Sequence, residues 1–513
     1  MCILLSRPRT TRPLSCCQKI HADGPDSSII DGIDDPIVLA NISAVESIVS
    51  QIDLAVIEAC YSNRGRDSYP ADVLLRIALY SILDGRPSPN QWARLAQTCS
   101  AVRYLARRLR PSRATLHRFR DKSKNFIDDV FGQVLVLAQK ENFLDGNEAS
   151  IDGTFIDALA SRHRLVNQGT LDKRQAKIAV KIEEDIQGTI EVDPNSMPAW
   201  MAKTPGGRLE QQFRFVEAND VLAEKLKKNS KKQKSERLDE SKVLVSTSDP
   251  GVPISRNKQK VFGPLWPTQY VTDNESGLVL AAQVFANATD CGTIGTMIDL
   301  VRTNISIDLN KLYADAGYTS TCDIRACKQR QVELIAPVNE NSFTEQLLQE
   351  KQNVSPKLQV FARDQFVFDY DRQTCQCPNG VFATTTKDGC RVLASGESLQ
   401  TYRLNFPTAT CQGCPLGSQC LPDGQSNRRL RLTEGEEHVV AHKAKMTPEV
   451  LLHCRSVRAQ TAEKAFADSK TRGCLDRLGC KSLARARAIT LLHLLAMNLK
   501  RLYRLRQTRE KPS

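Results

Sequence analysis

The sequence predicts a mixed α/β protein with an all-helical N-terminal domain and a small β-rich, cysteine-bearing module late in the chain. Three observations lead there. Apolar residues recur at helical spacing over residues 45–143. At 150–157 the pattern changes to alternation of apolar and polar residues, and strand-like and helix-like runs then succeed one another as far as residue 338. Between 340 and 438 six cysteines gather among many Gly, Pro, Thr and Asn residues.

Taken in order, residues 1–44 mix Pro, Gly, Asp and Ser without sustained periodicity and are expected to form an extension. Residues 45–145 carry the helical pattern, as in Val73, Leu74 and Ile77, with breaks at Pro70, Gly85, Pro87 and Pro111. A core follows over 146–340, opening with the strand around Ile151-Asp152-Gly153-Thr154. It is interrupted by an insertion at 160–245 whose helix, near 208–228, runs into the basic stretch 225–234. A hairpin over 270–273 and 278–285, a helix at 292–302, a short strand at 312–315, a helix at 322–331 and an apolar β-branched strand at 332–338 complete that part. The cysteine-rich module takes 341–440 and helical pattern resumes over 441–513, with an apolar stripe through Ile489, Leu492, Leu495, Leu499 and Leu502.

A chain of 513 residues is too long for a single hydrophobic core. Lys and Arg outnumber Asp and Glu by 71 to 58, giving a net charge of +13 and a pI near 9.0, which favours a polyanionic partner. The first 20 residues lack the apolar core of a secretory signal, and the run 488–497 is too short to span a bilayer, so a cytoplasmic, nucleoid-associated protein is expected. Its 17 cysteines should then be thiols or metal ligands instead of a disulfide framework.

Asp152 in the first strand and Asp315 at the end of a later one are hard oxygen ligands of the kind a two-metal phosphoryl-transfer site needs. Each alone could equally cap a turn. Together, Ile151-Asp152-Gly153-Thr154 and Tyr313-Ala314-Asp315-Ala316-Gly317-Tyr318 resemble the motifs of the DDE transposases of bacterial insertion sequences, in the branch with a helical N-terminal domain. That resemblance implies a ribonuclease-H-like core, and it implies a third carboxylate in a late helix. The matching text is 458–470, where Glu463, Phe466 and Lys470 align, while Ala462 and Ala467 stand where the family has a β-branched residue and a glycine. Glu463 and Lys470 share one helical face, suited to a metal-bound carboxylate and a phosphate-facing ammonium. Similar family patterns occur at 69–76, 83–85, 269–273, 287–290 and 496–502.

Pro111-Ser112-Arg113-Ala114-Thr115-Leu116-His117-Arg118-Phe119-Arg120 sets a Ser cap before a basic helix. Arg113, His117, Arg118 and Arg120 are expected to touch DNA at the terminal repeats, with Leu116 and Phe119 packed inward. Cys377, Cys411, Cys414 and Cys420 have a knuckle spacing fit for a tetrahedral Zn²⁺, or for a thiol cluster without metal, and Cys375 or Cys390 could substitute for the isolated first member. The resemblance implies metal-dependent cleavage (two Mg²⁺ or Mn²⁺ ions) at the inverted repeats and strand transfer into target DNA. Asp152, Asp315 and Glu463 would be the ligands, Lys470 and Arg458 would stabilise phosphate charge, and a homodimer would bridge two ends. The alternatives are a stand-alone nuclease of the same core and a domesticated DNA-binding protein with an idle site.

Overall fold

The computed structural model describes residues 24–61, 68–187, 197–231, 237–257, 260–286, 291–306, 308–338, 361, 363–392, 398–421 and 424–510. The first half of the expected extension, the end of the basic run and the 287–290 motif lie outside the described residues.

The chain enters through helices: α1 (Pro36–Val49), α2 (Ala55–Ala59), α3 (Ala71–Leu83), α4 (Pro89–Thr98), α5 (Ser100–Leu105), α6 (Arg113–Lys122) and α7 (Ile127–Lys140). α1 begins inside the stretch expected to be an extension. Asp35 caps it, accepting from the Ile37 N–H at 2.8 Å, and Pro36 occupies its first turn, where a missing N–H costs nothing. Its inward face, Ile42, Val45, Ile48 and Val49, begins too late for the 36–44 portion to show a period of its own. α3 is buried almost all round, and within it Arg76 pairs with Asp72 and with Glu46, which also receives Arg107. Arg107, part of the basic cluster that precedes α6, is therefore turned inward.

The main sheet has six strands: β1 (Glu148–Asp157), β4 (Ile254–Arg256), β5 (Phe262–Asp273), β6 (Val279–Val284), β7 (Lys311–Tyr313) and β8 (Glu333–Ile335). Their order is β4-β5-β1-β7-β8, with β6 also on β5. The β1–β5 and β5–β6 pairings are antiparallel, and β1–β7 and β7–β8 are parallel. Parallel neighbours need a crossover, and α10 (Ile294–Asn304) and α11 (Thr321–Gln329) supply the helices before β7 and β8. Between β1 and β4, the short strands β2 (Leu165–Val166) and β3 (Val245–Ser246) pair with each other and bracket α8 (Gln168–Gln187) and α9 (Pro205–Ser230). This insertion has its own small core around Leu171, Ile178, Phe215 and Leu222.

The cysteine module contains a two-stranded sheet, β9 (Val367–Asp369) with β10 (Thr374–Gln376), and a three-stranded one, β11 (Thr384–Val392), β12 (Ser398–Asn405) and β13 (Arg429–Thr433). Two short helices, α12 (Thr408–Gln412) and α13 (Gly417–Cys420), lie between β12 and β13. The chain ends in α14 (Glu436–Lys445), α15 (Pro448–Gln460), α16 (Ala462–Thr471) and α17 (Leu483–Glu510). α17 joins the two halves. Its Asn498 side chain bonds both backbone groups of Val279 in β6, at 3.0 and 2.8 Å, while Arg487 and Arg506 pair with Asp128 and Glu141 at either end of α7. One hydrophobic cluster accordingly runs from Val45 through Leu135 and Val271 to Leu499, so the helical region and the sheet share a core.

Candidate active site

β1 lies between β5 and β7 and is buried along most of its length, so a carboxylate there needs partners. Asp152 takes one from its own neighbour, its Oδ1 accepting from the Gly153 N–H at 2.8 Å. In the parallel pairing Ser150 faces Tyr313, which sets Asp152 level with Asp315 just past the end of β7. Asp315 caps the single turn Ala316–Tyr318, its Oδ1 accepting from the Gly317 N–H at 2.7 Å and its Oδ2 facing Arg458.

Arg458 spans the two. One guanidinium nitrogen stands 3.4 Å from Asp152 Oδ2 and 3.9 Å from Asp315 Oδ2. Its side chain is only 13% exposed, and Asp152 is 12% exposed against 42% for Asp315, so Asp315 forms the open rim. α15 is seated by Cys454, whose thiol donates to the Ile335 carbonyl at 3.3 Å, and Arg458 follows one turn later on the same face.

α15 and α16 meet at Thr461, whose φ of −115° and ψ of −85° break the helix. Its hydroxyl lies 2.9 Å from Ser150 Oγ and 2.8 Å from the Val457 carbonyl, and its one proton can be donated to either. Ser150 in turn donates to Asn274 at 2.7 Å. The joint is thereby tied to β1 two residues from Asp152. Glu463 follows in the exposed first turn of α16, and Phe466 below it stacks on Tyr270 with ring centroids 4.4 Å apart. Tyr270 is the cross-strand partner of Asp152.

Asp152, Asp315, Arg458, Glu463, Phe466 and Lys470 line one open cleft of about 550 Å³. Lys470 is anchored on the Phe155 carbonyl at 3.1 Å, so its ammonium also closes the end of β1. Among the described residues the three ligand atoms that come within 4.8 Å of one another are those of Cys291, Cys322 and Asp323, not the three carboxylates of the cleft. Asp323 already accepts from the Gly292 and Ile294 N–H groups and from Ser320, so its oxygens cap helices.

Residues 376–503, which include Arg458, Glu463 and Lys470, match the family described as Transposase DDE domain. Residues 39–122 match a second, described as Transposase domain (DUF772). Both matches are to transposase domains, and together they support a DDE transposase of insertion-sequence type. No curated protein matches the chain. Asp152 and Asp315 fall between the two matched stretches of the chain, and the sheet register is what brings them to Arg458.

In the second matched stretch, Ser112 caps α6 through the Thr115 N–H at 3.2 Å, and Leu116 and Phe119 are buried. Arg113 and Arg118 are exposed. His117 bonds Asn90 of α4 at 2.9 Å, and burial, then Arg120, lower its pKa. Arg120 is 14% exposed and pairs with Asp121, so it faces the protein more than the solvent. In the cysteine module, Cys377, Cys411, Cys414 and Cys420 line a common cavity, whereas Cys375 is buried in the module's core and Cys390 is exposed on β11. Of the residues that position the site, Tyr270 falls in the 269–273 pattern and Thr461 in 458–470, while Ser150, Asn274 and Cys454 carry no motif. Only the alternation of β1 hinted that Ser150 and Asp152 share a face.

No described helix is long and apolar enough to cross a membrane.

Proposed function

We propose that this transposase cuts DNA at the ends of its element and joins the freed 3′-hydroxyls to target DNA, using Asp152, Asp315 and Glu463 to hold two divalent metal ions, Mg²⁺ or Mn²⁺. The observation that carries this reading is the single guanidinium, from Arg458, drawn toward both Asp152 and Asp315. Two carboxylates at one level on adjacent strands repel each other unless a cation lies between them, and the donor set is all hard oxygen. When bound, the ions activate the attacking oxygen and steady the leaving one.

The chain's own groups do the rest. Asp152, tied by its Gly153 bond, fixes the inner wall, and Asp315 on the rim meets DNA arriving from solvent. Arg458 exchanges its carboxylates for phosphate oxygens as DNA enters, and Lys470, held at the end of β1, adds a second positive charge in the cleft. Glu463 faces the same cleft from the first turn of α16. Residues 45–145 serve as the DNA-binding domain, with Arg113 and Arg118 of α6 offered to the duplex and His117 and Arg120 holding that helix in place. A homodimer would let each of two ends meet a complete site.

The test is an in vitro reaction with a DNA fragment carrying the inverted repeats that flank the gene. Metal-dependent nicking followed by joining to a plasmid supports the reading. Nicking without joining favours a stand-alone nuclease, and binding without either favours a DNA-binding protein with an idle site.

A further inference from the structure

We propose that Cys291, Cys322 and Asp323 form a zinc site that fastens α10 to α11, with a fourth position open to solvent. The two sulfurs and a carboxylate oxygen of Asp323 all lie within 4.8 Å of one another; Cys322 and Asp323 are buried and Cys291 is half-buried. Neither thiol is in a disulfide, and the two are hydrogen-bonded to each other. Among the described residues the thiols of the cysteine module form no such group. A tetrahedral zinc with bonds of about 2.3 Å to sulfur and about 2.1 Å to oxygen sets its ligand atoms about 3.6–3.8 Å apart, so the three need move little to take one.

The fold itself builds this convergence. Asp323 lies in the first turn of α11 and reaches back to the start of α10, accepting from the Gly292 N–H at 2.9 Å and from the Ile294 N–H at 3.3 Å. Cys291 directly precedes Gly292, and Cys322 directly precedes Asp323, so these bonds carry both thiols to one place. Gly292 has φ +83°, a turn that a side chain would resist. Ser320, which caps α11, bonds the Cys322 sulfur at 3.0 Å and also donates to Asp323 Oδ2. Such outer hydrogen bonds are what orient ligating groups, so Asp323 caps and ligates with one carboxylate.

Charge and access agree with a metal. Soft thiolates select zinc over the Mg²⁺ or Mn²⁺ that suits the all-oxygen cleft. Three anionic ligands repel one another unless a dication joins them, and the negative charge left over is favoured beside the N-termini of two helices. A cavity of about 280 Å³ opens on Gly292 and Cys322, which gives the ion a path in and a water for its fourth position. Arg325 and Arg330 on the same wall suit a site of net negative charge. Two thiol protons leave as Zn²⁺ binds. α10 precedes β7 and α11 follows it, so the ion would brace the frame that carries Asp315.

The full chain, stripped of metal by chelation under a phosphine reductant, should be alkylated by iodoacetamide at Cys291. Zn²⁺ alone should protect Cys291, as read by peptide mass mapping, and Mg²⁺ alone should not. Asp323→Asn should lose the protection, and C291S/C322S should bind one equivalent less Co²⁺ than the unaltered chain, with a weaker thiolate-to-cobalt charge-transfer band. Labelling of Cys291 that Zn²⁺ leaves unchanged would overturn the proposal. So would equal protection by Mg²⁺, protection retained in Asp323→Asn, or the same cobalt stoichiometry in C291S/C322S and the unaltered chain. The mapping of the unaltered chain decides the matter even if the variants fold poorly.

Discussion

Ser150 of β1 faces Tyr313 of β7 in a parallel pairing, and two residues further on Asp152, still in β1, and Asp315, just past the end of β7, line one cleft. That register brings together two carboxylates 163 positions apart in sequence (315 − 152) and leaves Arg458 between them. The strongest expectations follow from it.

Asp152→Asn and Asp315→Asn should each lower DNA cleavage by about 10³-fold or more, because losing one of the proposed metal ligands would forfeit several kcal/mol of charge stabilisation at about 1.4 kcal/mol per tenfold. Thermal melting should change little or rise, since each variant removes half of a like-charge pair. Cleavage within tenfold of the parent would remove that residue from the site.

Arg458→Gln should separate metal binding from catalysis. Its guanidinium competes for the oxygens a metal would use, so the apparent Mg²⁺ affinity should tighten by roughly threefold to tenfold, on the order of 1 kcal/mol. Cleavage should nonetheless fall, because the positive charge facing the phosphate is lost. A Mg²⁺ titration followed by melting temperature reads the first effect. Weaker Mg²⁺ binding in this variant would contradict the competition.

Phe466→Ala should destabilise the fold by about 3 kcal/mol, as expected for a buried ring, and should disturb Glu463 through α16. Thr461→Val should cost only about 1 kcal/mol, since its loss leaves Ser150 still bonded to Asn274. Urea unfolding of both variants checks the ranking. A larger loss for Thr461→Val would mean that the α15–α16 joint, and not the Tyr270 stack, holds Glu463 in place.

His493 should make the protein acid-sensitive. Burial is the main cause that lowers its pKa from 6.5 to about 4, opposed by its bond to the Gly473 carbonyl. The unfolded chain therefore binds a proton below about pH 6.5 that the folded chain refuses until about pH 4, so stability falls as pH drops through this window. The loss is on the order of 3 kcal/mol by pH 4. His493→Gln should flatten the profile of denaturant midpoint against pH, even if it lowers every point. An unchanged slope would assign the acid sensitivity to other groups.

Arg113→Ala with Arg118→Ala should weaken binding to the element ends and reduce the slope of log affinity against log salt by up to about 0.9 per lost phosphate contact. His117→Ala should act through the Asn90 contact and alter stability more than the salt slope. A gel-shift series across salt concentrations distinguishes them, and an unchanged slope in the double variant would move the DNA interface off α6.

Much of this was legible beforehand because short-range physics writes it locally. The alternation at 150–157, the Ser112 cap and the apolar stripe of the last helix each depend on neighbours within a turn or two, and the structure has β1, α6 and α17 there. The start of α1 was missed because its buried face contributes only from residue 42. α8 was missed because only Leu171 and Ile178 of its 20 residues are buried, which leaves too faint a period. The break at Thr461 carries neither Gly nor Pro, so the run from 448 onward reads as uninterrupted helix.

From sequence alone come the mixed α/β class, the acidic residues suited to metal, the basic helix and the four spaced thiols, since composition, period and motif are properties of the chain itself. Tertiary structure alone decides that Asp152 and Asp315 line one cleft, that Arg458 lies between them, that Lys470 rests on Phe155 and that Arg107 and Arg120 turn inward. These are relations between strands and helices far apart along the backbone, and they depend on register and on what each buried charge finds beside it, which no local pattern encodes.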